Sequence, residues 1–145
     1  MKRSKRFAPI RRIASTRENQ AAKRWSEARK IEAETRERLQ SLEHYLHEYR
    51  EGYHRARAQG LAARQMIEYQ RFIAKLEAAI HEQRKSVARC EDDSRRQQTQ
   101  WEQRYRGRGA LDKLAGRIEA EERQIEEKSA QRAMDDRPWR GGRGR

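Results

Sequence analysis

The feature that most constrains this chain is a row of apolar residues spaced alternately three and four positions apart. In the first half the row consists of Trp25, Ala28, Thr35, Leu39, Leu42, Leu46, Tyr49, Tyr53 and Ala56, with a charge at the step between Ala28 and Thr35. In the second half the same stepping continues from Met66 to Ile125, with polar residues at several steps. Such spacing places one stripe of residues along an α-helix, and its persistence over many heptads indicates a coiled coil.

Composition excludes a globular core of ordinary size. Only 34% of the 145 residues are hydrophobic and 41% are charged, whereas a globular domain is usually close to half apolar. Two kinds of chain have such a composition: a disordered chain, and a chain of long helices that bury one narrow stripe. Because the stripe keeps its phase, we expect an all-α protein.

One break interrupts the stripe, at "ARAQGLAAR" around Gly60. Glycine ends helices well because it adopts a left-handed conformation, and a short connection favours antiparallel neighbours. The sequence therefore predicts a long antiparallel two-helix coiled coil, an α-hairpin over residues 14–134 with its turn near 58–62. Folding about Gly60 brings together residues whose numbers add up to about 121.

The two ends of the chain differ from this pattern. Residues 1–13 are a basic N-terminal segment in which Pro9 is expected to break any early helix, and residues 135–145 are an Arg/Gly tail. Both ends are expected to be disordered. Gly107 and Gly109 each weaken a helix interior by about 1 kcal/mol, which predicts a local bend.

The net charge of +13 suits an acidic partner, whether nucleic acid, an anionic membrane surface or an acidic protein groove. The chain contains no phosphate-binding loop, and its acidic pairs lie on helices without a pocket. The histidines fall on the outer face of the heptad phase, where solvated side chains are the ordinary case. We therefore expect no enzymatic activity, no cofactor and no metal.

Surplus apolar residues lie beside the seam near the turn. If the seam positions are lettered a and d, Tyr45, Phe72 and Ala79 fall at g, and the g flanks of an antiparallel pair lie on the same side. Together with three seam residues they form an apolar strip that predicts a protein-binding surface: Leu42, Tyr45, Tyr49, Phe72, Leu76 and Ala79. The alternative is that a wide seam covers itself with bulky g residues.

Three segments also carry a family resemblance. "LQSLEHYLHEYR", then after the glycine turn "YQRFIAKLEAAIHEQ", and later "ALDKLAGR" together resemble the FliJ family, small cytoplasmic proteins of the bacterial flagellar type III export apparatus. The resemblance implies a non-enzymatic stalk that inserts into the hexameric export ATPase and activates it. It also implies contacts with the export gate protein FlhA and with export chaperones, in the cytoplasm at the periphery of the inner-membrane apparatus.

The resemblance further implies which surfaces meet which partner. The apolar strip would face the cytoplasmic part of the export gate. The helix ends would face the ATPase ring, with these residues as candidates: Ile10, Ile13, Trp25, Leu111 and Ile118.

Two other functions remain open from the sequence. One is a basic coiled coil that binds nucleic acid, which the net charge favours, although the chain has no recognisable nucleic-acid-reading module and its basic residues are scattered. The other is the homologous stalk of a virulence type III secretion system, which the sequence barely separates from the flagellar one. Of these alternatives we favour the flagellar stalk, without specific nucleic acid as a partner.

Overall fold

A computed structural model describes residues 2–137 as a hairpin of two long helices packed against each other. Helix α1 spans Arg3–Gln59 and helix α2 spans Ala63–Asp135. No strand occurs among the described residues. The predicted all-α hairpin is confirmed. The last residues of the Arg/Gly tail, 138–145, lie outside the described part of the chain.

The turn is made of the three residues between the helices. Gly60 has a φ of 95°, a left-handed conformation that glycine adopts without strain, and its N–H donates to the Arg57 carbonyl at 3.2 Å. The side-chain oxygen of Gln65 accepts from the Ala62 N–H at 3.4 Å, and thereby satisfies a backbone donor at the start of α2. This geometry explains why the seam pattern breaks at Gly60.

The hairpin divides into two compact units. The turn unit is Gln20–Trp101, and the terminal unit combines α1 up to Asn19 with α2 from Glu102 onward. Each unit therefore contains a segment of both helices, and each is described below by itself.

The turn unit is held together by a thin apolar core. Leu46, Leu76 and Ile80 are its buried centre, and four partly buried residues pack against them: Leu39, Leu42, Tyr49 and Ile73. Burying such side chains is worth roughly 1.5–3 kcal/mol each. The seam residues that the stepping predicted are thus the residues that form the core.

The turn unit keeps one register along its length. The rings of Tyr49 and Phe72 lie 4.2 Å apart, as the predicted pairing requires. Farther from the turn, Trp25 stacks on Trp101 at 5.1 Å between ring centroids, and the Thr35 hydroxyl lies 3.6 Å from the Cys90 sulfur. The Thr35 carbonyl also accepts a hydrogen bond from the Gln83 side chain at 3.0 Å, so the partners of Thr35 lie on both sides of the predicted position, within about one helical turn of it.

The terminal unit contains a helical segment that the sequence did not predict. Residues 3–13 belong to α1, with Pro9 inside the helix, so the expectation that Pro9 breaks an early helix is wrong. The reason is tertiary: the Ser4 N–H and hydroxyl both donate to Glu122, at 3.0 and 2.7 Å, and Lys2 pairs with Glu126. These contacts with α2 offset the backbone hydrogen bond that proline removes.

Helix α2 continues unbroken through Gly107 and Gly109. A Cβ built at either position would meet nothing within 4 Å. The chain's own packing therefore gives no reason for a glycine at either place.

Candidate protein-binding surfaces

Along one flank of the turn unit, ion pairs bridge the two helices. Three e positions of α1, spaced seven apart, meet three e positions of α2: Arg36 with Glu91 at 2.8 Å, Glu43 with Arg84 at 3.6 Å, and Arg50 with Glu77 at 2.9 Å. Exposed pairs of this kind add at most about 1 kcal/mol each to stability. Their placement shows which side of the seam is polar, and we call this side the ion-paired flank.

The opposite flank of the turn unit is aromatic. Tyr45, Phe72 and Ala79 occupy g positions, and we call them the aromatic flank. Tyr45 is 56% exposed and Phe72 is 39% exposed, and Ala79 is exposed as well. The Phe72 ring packs on one side against Tyr49, at an interplanar angle of 33°. An aromatic side chain that is anchored on one face and open on the other can insert into a partner's apolar pocket.

The other three residues of the predicted strip belong to the core. Leu76 is part of the buried centre, and Leu42 and Tyr49 are partly buried and pack against that centre. The strip is therefore an exposed edge backed by core residues. Of the six residues, those of the aromatic flank are the ones with an exposed side chain that a partner could contact.

Shallow grooves lie beside both large aromatic side chains. A groove of about 550 Å³ adjoins Tyr45 and is lined by Leu42, Arg38 and Gln83, with Glu34, Glu37 and Ser41. A second groove of about 430 Å³ adjoins Phe72, Tyr49 and Tyr69. Apolar residues with polar neighbours are the usual composition of a protein-binding patch.

The residues expected at the ATPase ring divide into two groups. Ile118 is only 4% exposed, and Trp25 is half-buried, stacked on Trp101 and covered by the Arg29 guanidinium at 4.2 Å. Ile10 and Ile13, in contrast, are 49% and 53% exposed. They line one groove of the terminal unit together with Leu111. Ile118 and Trp25 hold helices together, whereas Ile10, Ile13 and Leu111 are available for a contact.

A polar seam in the terminal unit was missed by the sequence reasoning. Glu18 is buried and its carboxylate lies 3.5 Å from a guanidinium nitrogen of Arg108, and Ser4 meets Glu122 in the same row. The signal was present, because the three-and-four stepping continues backwards from Trp25 through Ala21, Glu18, Ala14, Arg11, Phe7 and Ser4. It was overlooked because several of these steps are polar.

The contact between Ser4 and Glu122 makes stability depend on pH. The hydrogen bond from the Ser4 N–H, followed by that from its hydroxyl, lowers the pKa of Glu122 below its ordinary value of 4.5. A lowered pKa contributes stability that is present above the unfolded value and is lost as the pH falls through the folded value. We expect Glu122→Gln to lower the urea midpoint at pH 7, and the two proteins to converge as the pH falls below 4.5 and through the lowered pKa of Glu122 in the folded protein.

Urea unfolding followed by circular dichroism from pH 7 to pH 2 measures this difference. The matched control is Glu127→Gln, because Glu127 has no ion-pair partner among residues 2–137. It should leave the midpoint near that of the wild type. A Glu122→Gln midpoint that equals the wild type at pH 7 would show that the Ser4 contact adds nothing to stability.

The chain is similar to a known family of flagellar proteins. The family model described as "Flagellar FliJ protein" matches residues 3–141, which is nearly the whole chain. No curated protein and no solved structure matches the chain significantly. Over the described residues, neither helix has an apolar stretch of the length and hydropathy needed to cross a membrane.

Proposed function

The chain belongs to the FliJ family of flagellar proteins, and on that premise we propose that it is the stalk that activates the flagellar export ATPase. FliJ proteins are structural components of the type III export apparatus, and the helical hairpin is the form that such a stalk takes. In this proposal one end of the hairpin inserts into the hexameric ATPase ring. The aromatic flank binds the cytoplasmic part of the export gate FlhA, and the protein helps to cycle export chaperones.

The aromatic flank is the observation that carries the proposal. A hairpin that served only as a spacer would be expected to carry charge on both sides of its seam. In the turn unit one side is bridged by Arg36, Glu43 and Arg50, whereas the other exposes Tyr45 and Phe72. Aromatic side chains on an exposed edge are the residues that most often anchor protein–protein contacts.

The contact with the ATPase ring is supported by the terminal unit. Ile10 and Ile13 remain half-exposed although a narrow core would gain from burying them. They lie in a groove with Leu111, which makes them the best candidates for insertion into the ring. We place the protein in the cytoplasm at the periphery of the inner-membrane export apparatus.

Co-purification with the export ATPase tests the central part of the proposal. The full chain, mixed with the purified ATPase, is expected to elute with it and to raise ATP turnover several-fold. Turnover is measured at several ATPase concentrations, because a protein that promotes hexamer assembly acts most strongly where the hexamer is incomplete. Unchanged turnover at every concentration, together with separate elution, would contradict the stalk function.

A further inference from the structure

A groove in the terminal unit combines an apolar floor with a cationic rim. Its volume is about 520 Å³, and its lining residues are Ile10, Ile13, Ala14, Arg17, Gln103, Arg104, Gly107, Arg108 and Leu111. All of these residues belong to one compact unit. The groove is open to solvent along one side of the helix pair.

The floor of the groove has the spacing of a helix-binding surface. Ile10 and Ile13 lie three residues apart on α1 and therefore point from the same face of the helix. Both are about half exposed, and Leu111 of α2 is half-buried beside them. Paired apolar residues of this kind, from two neighbouring helices, accept the apolar face of a third helix.

Gly107 widens this groove at a cost to the helix. A glycine in a helix interior lowers stability by about 1 kcal/mol relative to Ala, and a Cβ at Gly107 would meet no atom of the chain within 4 Å. The chain's own packing therefore does not require a glycine at this position. One established use of glycine is to let a ligand approach the backbone closely, and the position of Gly107 in the groove wall fits that use.

The rim of the groove is positive. Arg108 is engaged by Glu18 at 3.5 Å, but Arg17 and Arg104 have no ion-pair partner among residues 2–137. The described lining residues include no Asp or Glu. A second copy of this chain, with its net charge of +13, would be repelled from such a rim, whereas an acidic segment is attracted to it.

From the floor, the glycine and the rim together, we propose that this groove binds an acidic amphipathic helix of a partner protein. The apolar face of that helix packs on Ile10, Ile13 and Leu111, its backbone approaches Gly107, and its carboxylates pair with Arg17 and Arg104. The inference rests on the proposed function for the location of the contact, since three of these residues were assigned to the ATPase ring. It adds the chemistry that the contact requires.

A designed peptide serves as the probe. It is a fluorescein-labelled helical peptide of Leu, Ala and Glu, with Leu on one face and Glu on the other. One control peptide has every Glu replaced by Lys, and a second has every Leu replaced by Ala. Fluorescence anisotropy with the full-length protein is expected to show the Glu peptide binding at least ten-fold more tightly than either control, with weaker binding as salt is added. Equal binding of the Glu and Lys peptides would overturn the inference.

A pair of glycine variants locates the binding. Gly107→Leu fills the groove, and Gly109→Leu is the matched control, because Gly109 lies two residues away and lines a different groove. Both changes replace a helical glycine with a good helix former, so both proteins should be at least as stable as the wild type. We expect Gly107→Leu to weaken binding of the Glu peptide at least ten-fold and Gly109→Leu to change it less than two-fold. Equal affinity of the two variants would overturn the inference.

Two other occupants of the groove would give different results with the wild type and the Gly107→Leu variant. Self-association in analytical ultracentrifugation that Gly107→Leu abolishes would assign the groove to a second copy of the chain. Single-stranded DNA that binds the wild type and loses affinity in Gly107→Leu would assign it to nucleic acid. Either result would overturn the inference.

ATP turnover separates this inference from the proposed function. If the wild type binds the Glu peptide through Gly107 but does not stimulate the ATPase, the stalk function fails and the groove inference stands. If the wild type and Gly107→Leu stimulate the ATPase equally and neither binds the peptide, the stalk function stands and the inference fails.

Discussion

Replacing Tyr45 and Phe72 together with Ala is expected to leave the hairpin folded and to remove most of its affinity for the export gate. Both side chains lie on the exposed aromatic flank, outside the buried centre at Leu46, Leu76 and Ile80. The loss of stability should therefore stay below the roughly 3–5 kcal/mol that a buried Phe→Ala change costs. Binding that depends on aromatic anchors should weaken by about 2 kcal/mol or more, which is about 30-fold.

Two measurements on the same double variant test this expectation. Thermal unfolding by circular dichroism reports the fold, and titration with the cytoplasmic part of the gate reports the affinity. The matched control is Arg50→Ala with Arg84→Ala, which truncates two long side chains on the ion-paired flank and should leave gate binding close to that of the wild type. A Tyr45→Ala, Phe72→Ala protein that unfolds at room temperature would show that the aromatic flank is part of the core. A folded variant with unchanged affinity would show that the gate binds elsewhere.

The sequence predicted the seam because the buried residues of a coiled coil are determined by their spacing along the chain. Alternating steps of three and four residues keep one stripe on the helix, so Leu46, Leu76 and Ile80 were identified as core from spacing alone. The same lettering placed Tyr45 and Phe72 beside the seam, where the structure exposes them. It also placed Ile118 in the seam, where the structure buries it.

The turn predicted the register, whereas particular contacts within that register were harder to predict. The three ion pairs of the ion-paired flank advance by seven residues on both helices, so one register holds along the turn unit. The Trp25 stack on Trp101 and the Glu18 pair with Arg108 depend instead on which side chains occupy those positions. A spacing rule that ignores the identity of the side chains does not contain this information.

The N-terminal helix was missed because local rules were applied to a segment that long-range contacts stabilise. Pro9 removes one backbone hydrogen bond, and on local grounds a basic segment with a proline does not predict a helix. Acidic residues of α2 hold this segment in place, namely Asp112, Glu122 and Glu126. Each lies more than a hundred residues along the chain from the N-terminal side chain that it contacts. Tertiary context overrides propensity in such cases.

The two groups of ring candidates should respond to substitution in opposite ways. Ile118 is buried between the helices of the terminal unit, so Ile118→Ala should lower the free energy of unfolding by roughly 2–5 kcal/mol, through lost burial and the cavity left behind. Ile10→Ala combined with Ile13→Ala removes two half-exposed side chains and should change stability by well under that amount. If these two residues contact the ring, the double variant should nevertheless stimulate the export ATPase several-fold less than the wild type.

Hydrogen exchange of the backbone amides and ATP turnover together measure both responses. Faster exchange in the terminal unit is expected for Ile118→Ala, because weaker packing there increases local opening, while the Ile10→Ala, Ile13→Ala protein should exchange as the wild type does. Turnover is then compared at saturating concentrations of each stalk variant, so that a partly unfolded population does not imitate a lost contact. Wild-type stimulation by the double variant would remove Ile10 and Ile13 from the ring contact. If that variant also failed to bind the acidic peptide, the groove would bind its partner helix somewhere other than in the ATPase ring.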